Sequence, residues 1–251
     1  MKLLEGRVAL VYGAGGAVGG AVSRAFAREG AAVFLAGRSA EPVERTAAAI
    51  EAAGGSAEAH LVDALDERAV GGFVDAVARR TGRIDISFNV IGVGDVQRPL
   101  MELSAEEFVA PVETTMRTQF LTTRAAARHM VARGSGVVLA FGGSGPQTQP
   151  GLGGFKVSLD ALEGLRRQWA CELGPAGIRV VTLKTGGIPE SLPDDFEGRA
   201  ELTERLTEPT LLGRTATLAD VGEVAAFVAS DRARTMTSAT VNISCGALVD
   251  Y

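Results

Sequence analysis

Short apolar runs alternate with longer helical patterns along the whole chain. Arg7 to Tyr12 is a β-type run. Ala32 to Ala36, Ala57 to Val62, Ile84 to Val90, Val137 to Phe141, Ile178 to Leu183 and Thr240 to Ile243 follow. Between them lie segments with helical spacing. Gly13 to Gly20 is glycine-rich and leads into a helix over Ala21 to Glu29, stopped by Gly30. A second helix starts near Pro42 and ends at Gly54 and Gly55, which suit a helix C-terminus. Asp66 can N-cap a third, ending at Gly82. Ser104 and Glu107 form a capping-box pattern before a long helix to about Arg133. Another runs from about Gly154 to Leu173, and Thr217 with Asp220 opens the last. The stretch from Glu190 to Leu212 is polar and broken by proline, and reads as a mobile helical excursion.

Strands separated by helices of this length predict βαβ units. The expected fold is α/β: a Rossmann-like, doubly wound, seven-stranded parallel sheet with helices on both faces. The strand after Gly55 should lie on one edge. No Pro/Ser-rich linker and no long repeat interrupts the alternation, so residues 1–251 are expected to form a single domain. Residues 187–212 are expected to act as a mobile lid on the substrate side.

Composition narrows the field. Of 251 residues, 46% are hydrophobic and 22% charged, too apolar for a disordered chain and ordinary for a globular one. The 32 glycines have no three-residue period, which excludes collagen. Net charge is -5 and no Lys/Arg run occurs, which argues against a nucleic-acid partner. The two cysteines, Cys171 and Cys245, have no metal-ligand spacing, so no metal site is expected and both read as free, buried thiols in a reducing compartment. Glu5 and Arg7 interrupt the N-terminus before a signal-peptide core could form. No apolar run reaches membrane-spanning length. The expectation is a cytoplasmic protein.

Candidate chemistry begins at Gly13-Ala14-Gly15-Gly16-Ala17-Val18-Gly19, between the first strand and its helix. Glycines there permit a tight turn and let backbone N–H groups approach a pyrophosphate at a helix N-terminus. Asp63-Ala64 follows the third strand, Asn89-Val90-Ile91-Gly92 the fourth, and Glu172-Leu173-Gly174-Pro175 through Gly177-Ile178-Arg179-Val180 enters the sixth. Leu212-Gly213-Arg214 precedes Asp220-Val221. With these motifs the chain resembles the short-chain dehydrogenase/reductase family over nearly its whole length. It departs in the loop, where the family's Thr-Gly-x3-Gly-x-Gly appears with Tyr12 for Thr and Ala17 for the middle Gly.

The resemblance implies a small-molecule ligand, a dinucleotide held by Gly13, Gly15, Gly16, Val18, Gly19, Arg38, Ser39, Asp63, Ala64, Asn89, Gly92, Gly186 and Ile188. Where NAD-binding members end the second strand with Asp, this chain has Gly37, followed by Arg38 and Ser39. Loss of the carboxylate and gain of a guanidinium suit a 2′-phosphate, so NADP(H) is expected in preference to NAD(H). The family also forms oligomers. A homotetramer or homodimer is expected, with the Gly154–Leu173 helix and Trp169 at the interface, or a hetero-oligomer with an active relative.

The resemblance also implies a catalytic Ser, Tyr, Lys and Asn, and none of the four is present. Reading back along the helix from Glu172-Leu173 places Phe155 at the Tyr position and Leu159 at the Lys position. Gly142 falls at the Ser position and Thr115 at the Asn position. The only tyrosines are Tyr12, in the phosphate turn, and Tyr251, the last residue. The family's Pro-Gly-x-Ile-x-Thr is Thr185-Gly186-Gly187-Ile188-Pro189-Glu190, and a carboxylate at Glu190 would repel an anionic cofactor. Lys184, Ser144, Lys156 and Tyr251 are the candidate substitute acids. Lys156 with Asp160 has the i,i+4 spacing of a surface ion pair. His60 and His129 fall away from the expected pocket.

Two readings follow. In the first, the chain is a family-like protein without redox activity: a nucleotide or metabolite binder, a partner subunit, or a catalyst of a non-redox reaction in an apolar pocket. In the second, it is an NADP(H)-dependent oxidoreductase of a carbonyl or alcohol, using a substitute acid. The pocket in either case is expected around Thr115, Gly142, Ser144, Phe155, Leu159 and Lys184.

Overall fold

The computed structural model describes residues 2–91, 96–142, 148–193 and 195–249. Seven strands form one parallel sheet in the order β3-β2-β1-β4-β5-β6-β7. They are β1 (Val8–Tyr12), β2 (Ala32–Gly37), β3 (Ser56–Leu61), β4 (Ile86–Asn89), β5 (Gly136–Phe141), β6 (Ile178–Lys184) and β7 (Ala239–Asn242). The helices are α1 (Ala17–Arg28), α2 (Ala40–Ala52), α3 (Glu67–Thr81), α4 (Ala105–Arg133), α5 (Gly153–Leu173), α6 (Arg199–Thr207) and α7 (Leu218–Ala229). The whole is a single Rossmann-like domain, as the alternation of runs predicts, with β3 on an edge.

Alternate strand residues feed two cores. Ala9, Val11, Val33, Leu35 and Phe88 pack under α1, α2 and α7, while Val8, Leu10, Tyr12, Phe34 and Val138 pack under α3, α4 and α5. That double burial is why the central strands read as continuous apolar runs. On the edge, β3 is only half-buried and carries polar residues.

The capping signals hold. Asp66 accepts from the N–H groups of Arg68 and Ala69. Ser104 with Glu107, and Thr217 with Asp220, form reciprocal capping boxes. Gly82 and Gly134 close α3 and α4 in the left-handed conformation. Among the described residues, no helix is long and apolar enough to cross a membrane.

One expectation fails. Both cysteines are free, but Cys171 is exposed and Cys245 only half-buried. The buried stripe of α5 runs through Gly154, Ser158, Leu162, Arg166 and Ala170. Cys171 sits one residue, about 100°, beyond it.

Candidate functional site

Strand order reverses between β1 and β4, and the cleft at that switch point is where doubly wound sheets bind ligands. Two cavities adjoin there, at the C-terminal ends of the strands, and share Gly13, Gly16, Val90, Ile91 and Thr118 in their walls.

The first, about 280 Å³, lies over β1, β2 and β3. Gly37, Arg38, Asp63, Ala64 and Leu65 form its outer wall. Asp63 Oδ1 accepts from the Leu65 N–H at 3.0 Å, which holds the turn after β3. Arg38 is exposed at the rim.

Between the cavities the glycine loop enters α1. Gly13 has φ +82°, a conformation that favours glycine. A side chain on Gly19 would drive into the Gly13 carbonyl oxygen. The N-cap of α1 is Gly16, with no side-chain capping bond and no acidic residue in the first turn. The first N–H groups of α1 therefore keep their hydrogen-bonding capacity and partial positive charge for an anion. This cradle fits a dinucleotide pyrophosphate.

The second cavity, about 360 Å³, continues over β4 and β5. Val18, Phe141, Phe155, Leu159 and Leu162 give it an apolar wall, with Thr115, Gln119, Ser158 and Ser191 as polar points. Among the described residues that line it there is no Lys, Arg, His, Asp, Glu, Cys or Tyr. Most of the polar groups are already engaged. Ser158 Oγ donates to the Phe155 carbonyl at 2.7 Å, Ser191 Oγ to that of Ile188 at 2.7 Å, and Gln119 Nε2 to that of Asn89 at 3.3 Å. Phe155 is held in place because α5 crosses α4 closely at Gly154, where a side chain would run into the Phe108 carbonyl and Pro111. Gly142 has φ +98°, and a Cβ there would sit 3.1 Å from Leu159 Cδ2.

Thr115, Gly142, Phe155 and Leu159 are thus brought together beside the glycine loop. Other residues singled out in the sequence lie elsewhere. Gly15 packs against Pro42, and Ser39 is an exposed N-cap of α2. Asn89 is buried; its Nδ2 donates to Thr122 Oγ1 at 3.1 Å and its Oδ1 accepts from the Ile91 N–H at 3.0 Å, fixing the turn after β4. Gly186 abuts Ala247, and Ile188 joins the core. Lys184 is 1% exposed and outside the wall of either cavity. Lys156 pairs with Asp160 at 2.7 and 2.8 Å. Gly92, Ser144 and Tyr251 lie outside the described residues.

The structure adds two points about the segment after β6. Glu190 Oε2 accepts from the Leu218 N–H at 2.8 Å, so its carboxylate is engaged at the α7 N-terminus, where a negative charge is favourable. Its neighbour Ser191 lines the second cavity instead. The only sequence signal for Ser191 was its place one residue beyond the family motif.

A family model described as enoyl-(acyl carrier protein) reductase matches residues 13–247. A short-chain dehydrogenase/reductase of Armillaria gallica is 30% identical over 255 residues, covering 98% of this chain and 97% of its own. A short-chain type dehydrogenase/reductase from Mycobacterium ulcerans superposes with a TM-score of 0.90 at 26% identity, over 97% of this chain and 90% of that one. An NAD+-bound xylitol dehydrogenase superposes with a TM-score of 0.88 at 25% identity, over 97% and 99%. Sheet order, glycine cradle and end-to-end matches agree: the chain belongs to the short-chain dehydrogenase/reductase family.

Proposed function

We propose that this protein binds a nicotinamide dinucleotide, NADP(H) in preference to NAD(H), and does not carry out ordinary carbonyl reduction. Its second cavity then serves a non-redox purpose: binding a largely apolar metabolite, supporting a partner subunit, or hosting a reaction that needs no protein acid. The observation that carries this reading is the wall of that cavity, which has no ionisable side chain among the described residues.

The nucleotide half has what it needs. The open N-terminus of α1 receives the pyrophosphate, Asp63 and Ala64 border the base, and Arg38 offers a guanidinium to a 2′-phosphate. A bound nicotinamide supplies hydride chemistry. Among the described residues that line the cavity, none completes that chemistry. Reducing a carbonyl leaves an alkoxide that needs a proton. Phe155 has none to give, and Leu159 can neither lower a neighbour's pKa nor bond a ribose hydroxyl. Ser158 and Ser191 already donate to backbone carbonyls, and an alcohol is a poor general acid. What Phe141, Phe155, Leu159 and Leu162 do well is exclude water and hold an apolar group.

The segment 187–212 acts in this reading as the lid. Ser191 contributes to the wall, and Leu206 of α6 packs against Gly187, where a Cβ would meet it at 2.9 Å. The assembly is a homodimer or homotetramer, or a hetero-oligomer with an active relative. The outer face of α4 and α5, where Phe120 stacks on Trp169 with ring centroids 5.8 Å apart, is the contact.

The test pairs binding with turnover. NADPH should bind more tightly than NADH, and Arg38→Ala should weaken NADPH about tenfold or more while leaving NADH unchanged. Across a panel of ketones and aldehydes, NADPH oxidation should stay below about 1 per second, a normal enzyme rate. Turnover above that overturns the non-redox reading. Equal loss of both nucleotides overturns the role of Arg38.

The names of the relatives, a dehydrogenase/reductase and a dehydrogenase, favour oxidoreductase activity; the second reading is accordingly an NADP(H)-dependent oxidoreductase with a substitute acid. It needs a proton donor that reaches the cavity, and Lys184→Ala and Ser144→Ala are its tests. Loss of carbonyl turnover in either variant, with NADPH binding intact, would establish it.

A further inference from the structure

At the other end of the sheet, roughly 20 Å from the nucleotide cleft for strands of this length, lies a third cavity of about 160 Å³. The N-terminal ends of β1, β4, β5 and β6 meet the C-terminal end of α7 there. Its wall carries Arg7, Arg179, Arg234, Asp85, Asp231 and Ser135.

Positive charge is in excess. Asp85 accepts from the Val8 N–H at 2.9 Å and from Arg83 Nε and Nη2 at 2.6 Å each. Arg7 Nη1 lies 3.4 Å and Arg133 Nη1 3.7 Å from the same carboxylate. Asp231 is paired with Arg7 at 2.6 Å and is 80% exposed. Five guanidiniums therefore surround two carboxylates, in a chain of net charge -5.

The arginines differ in how far they are engaged. Arg179 donates to the carbonyls of Met236, Val228 and Ser230, which ties β6 to the end of α7. Arg7 is divided between Asp85 and Asp231. The guanidinium of Arg234 has no hydrogen bond or ion pair among the described residues.

We propose that this cavity binds a small tetrahedral oxyanion, inorganic phosphate or sulfate, through Arg234, Arg7 and the hydroxyl of Ser135. The volume equals about five waters' share of liquid, room for one such ion and a water or two. It is smaller than either cavity of the nucleotide cleft and well below the roughly 300–1,000 Å³ of ordinary organic-ligand pockets, a size that suits an inorganic ion. The entering anion competes with Asp231 for Arg7, and charge-assisted bonds to the guanidiniums replace that rim pair. The site is independent of the nucleotide-binding reading.

Thermal unfolding of the full chain with inorganic phosphate, ionic strength held constant with sodium chloride, tests it. A ligand bound only by the folded state raises Tm saturably. Phosphate should do so, and sulfate should behave likewise. Arg234→Ala, at an exposed side chain with no partner, should fold normally and weaken the apparent affinity about tenfold. Asp231→Asn should tighten it by removing the competing carboxylate. Phosphate could also settle on the glycine loop beside Arg38, so Arg38→Ala is the control and should keep the full shift. The proposal is overturned if phosphate gives no saturable shift beyond chloride. It is equally overturned if Arg234→Ala leaves the apparent phosphate affinity unchanged or if the shift disappears with Arg38→Ala.

Discussion

A serine placed at Gly142 would have to adopt φ +98° with its Cβ 3.1 Å from Leu159 Cδ2. Side chains rarely take that conformation, and holding one there costs on the order of 1–3 kcal/mol. Gly142→Ser alone should therefore lower the unfolding free energy from urea titration by that amount and yield no carbonyl reduction. Adding Leu159→Ala should relieve the contact but leave the backbone cost; complete rescue would show that φ is not the source. The reverse holds for Tyr12, which is 1% exposed with a hydroxyl that has no hydrogen-bond partner among the described residues. Burial pushes that hydroxyl's pKa up, so it stays protonated. An unsatisfied buried hydroxyl is costly, and Tyr12→Phe keeps the edge-on contact with Phe73 at 5.8 Å while deleting it. Tyr12→Phe should raise stability by about 1 kcal/mol. A clear loss of stability in urea unfolding would mean that the hydroxyl has a partner.

Between elements, Asp85 is the main electrostatic link, since it joins β4 to the first residue of β1 through the Val8 N–H. Burial by itself would push its carboxyl pKa up. The Arg83 bond, the Val8 N–H and the charges of Arg83 and Arg7 overcome that and hold it below the usual range. A depressed folded-state pKa means stability that is present above the unfolded value of about 3.9 and is lost as pH falls through the folded one. Asp85→Asn should cost about 1.5–3 kcal/mol at neutral pH, the worth of a charged hydrogen bond, because the arginines left behind are a quarter to a third exposed and are solvated. The gap from the parent protein should close as pH drops below about 4, and a pH-independent gap would remove the ionic account. The same scale shows what was legible in the sequence. The boxes at Ser104 and Thr217, the cap at Asp66 and the stop at Gly82 are local signals, completed within one turn of chain. The register that aligns Phe155 and Leu159 in one cavity wall was equally legible, because α5 runs unbroken to Leu173. Ser191 and the bond from Leu218 to Glu190 were not, since they depend on how the segment after β6 meets α7, twenty-eight positions away. The exposure of Cys171 depends on helical phase, which residue type alone does not carry.

At the scale of the molecule, one parallel sheet separates two kinds of charge site. The C-terminal strand ends carry the uncapped start of α1 and the exposed Arg38, and the N-terminal ends carry the arginine cluster around Asp85. The first cavity is bordered by β1, β2, β3 and the start of α1, so a ligand there engages the central fold rather than a surface loop. Binding that is confined to the native state adds stability in proportion to the logarithm of ligand concentration. At a hundred times Kd the gain is about 2.7 kcal/mol, which for a chain of this size raises Tm by roughly 5–10 °C. NADPH should produce a shift of that order and NADH a smaller one at the same concentration. The difference should vanish in Arg38→Ala, because in the proposed reading that guanidinium would meet only the 2′-phosphate that distinguishes the two nucleotides. Gly19→Ala, whose Cβ would enter the loop backbone, should abolish both shifts and destabilise the unliganded protein as well. Differential scanning fluorimetry on the three proteins separates the cases. Equal shifts with NADPH and NADH in the parent chain would mean that Arg38 is a solvated rim charge and that nucleotide choice lies elsewhere.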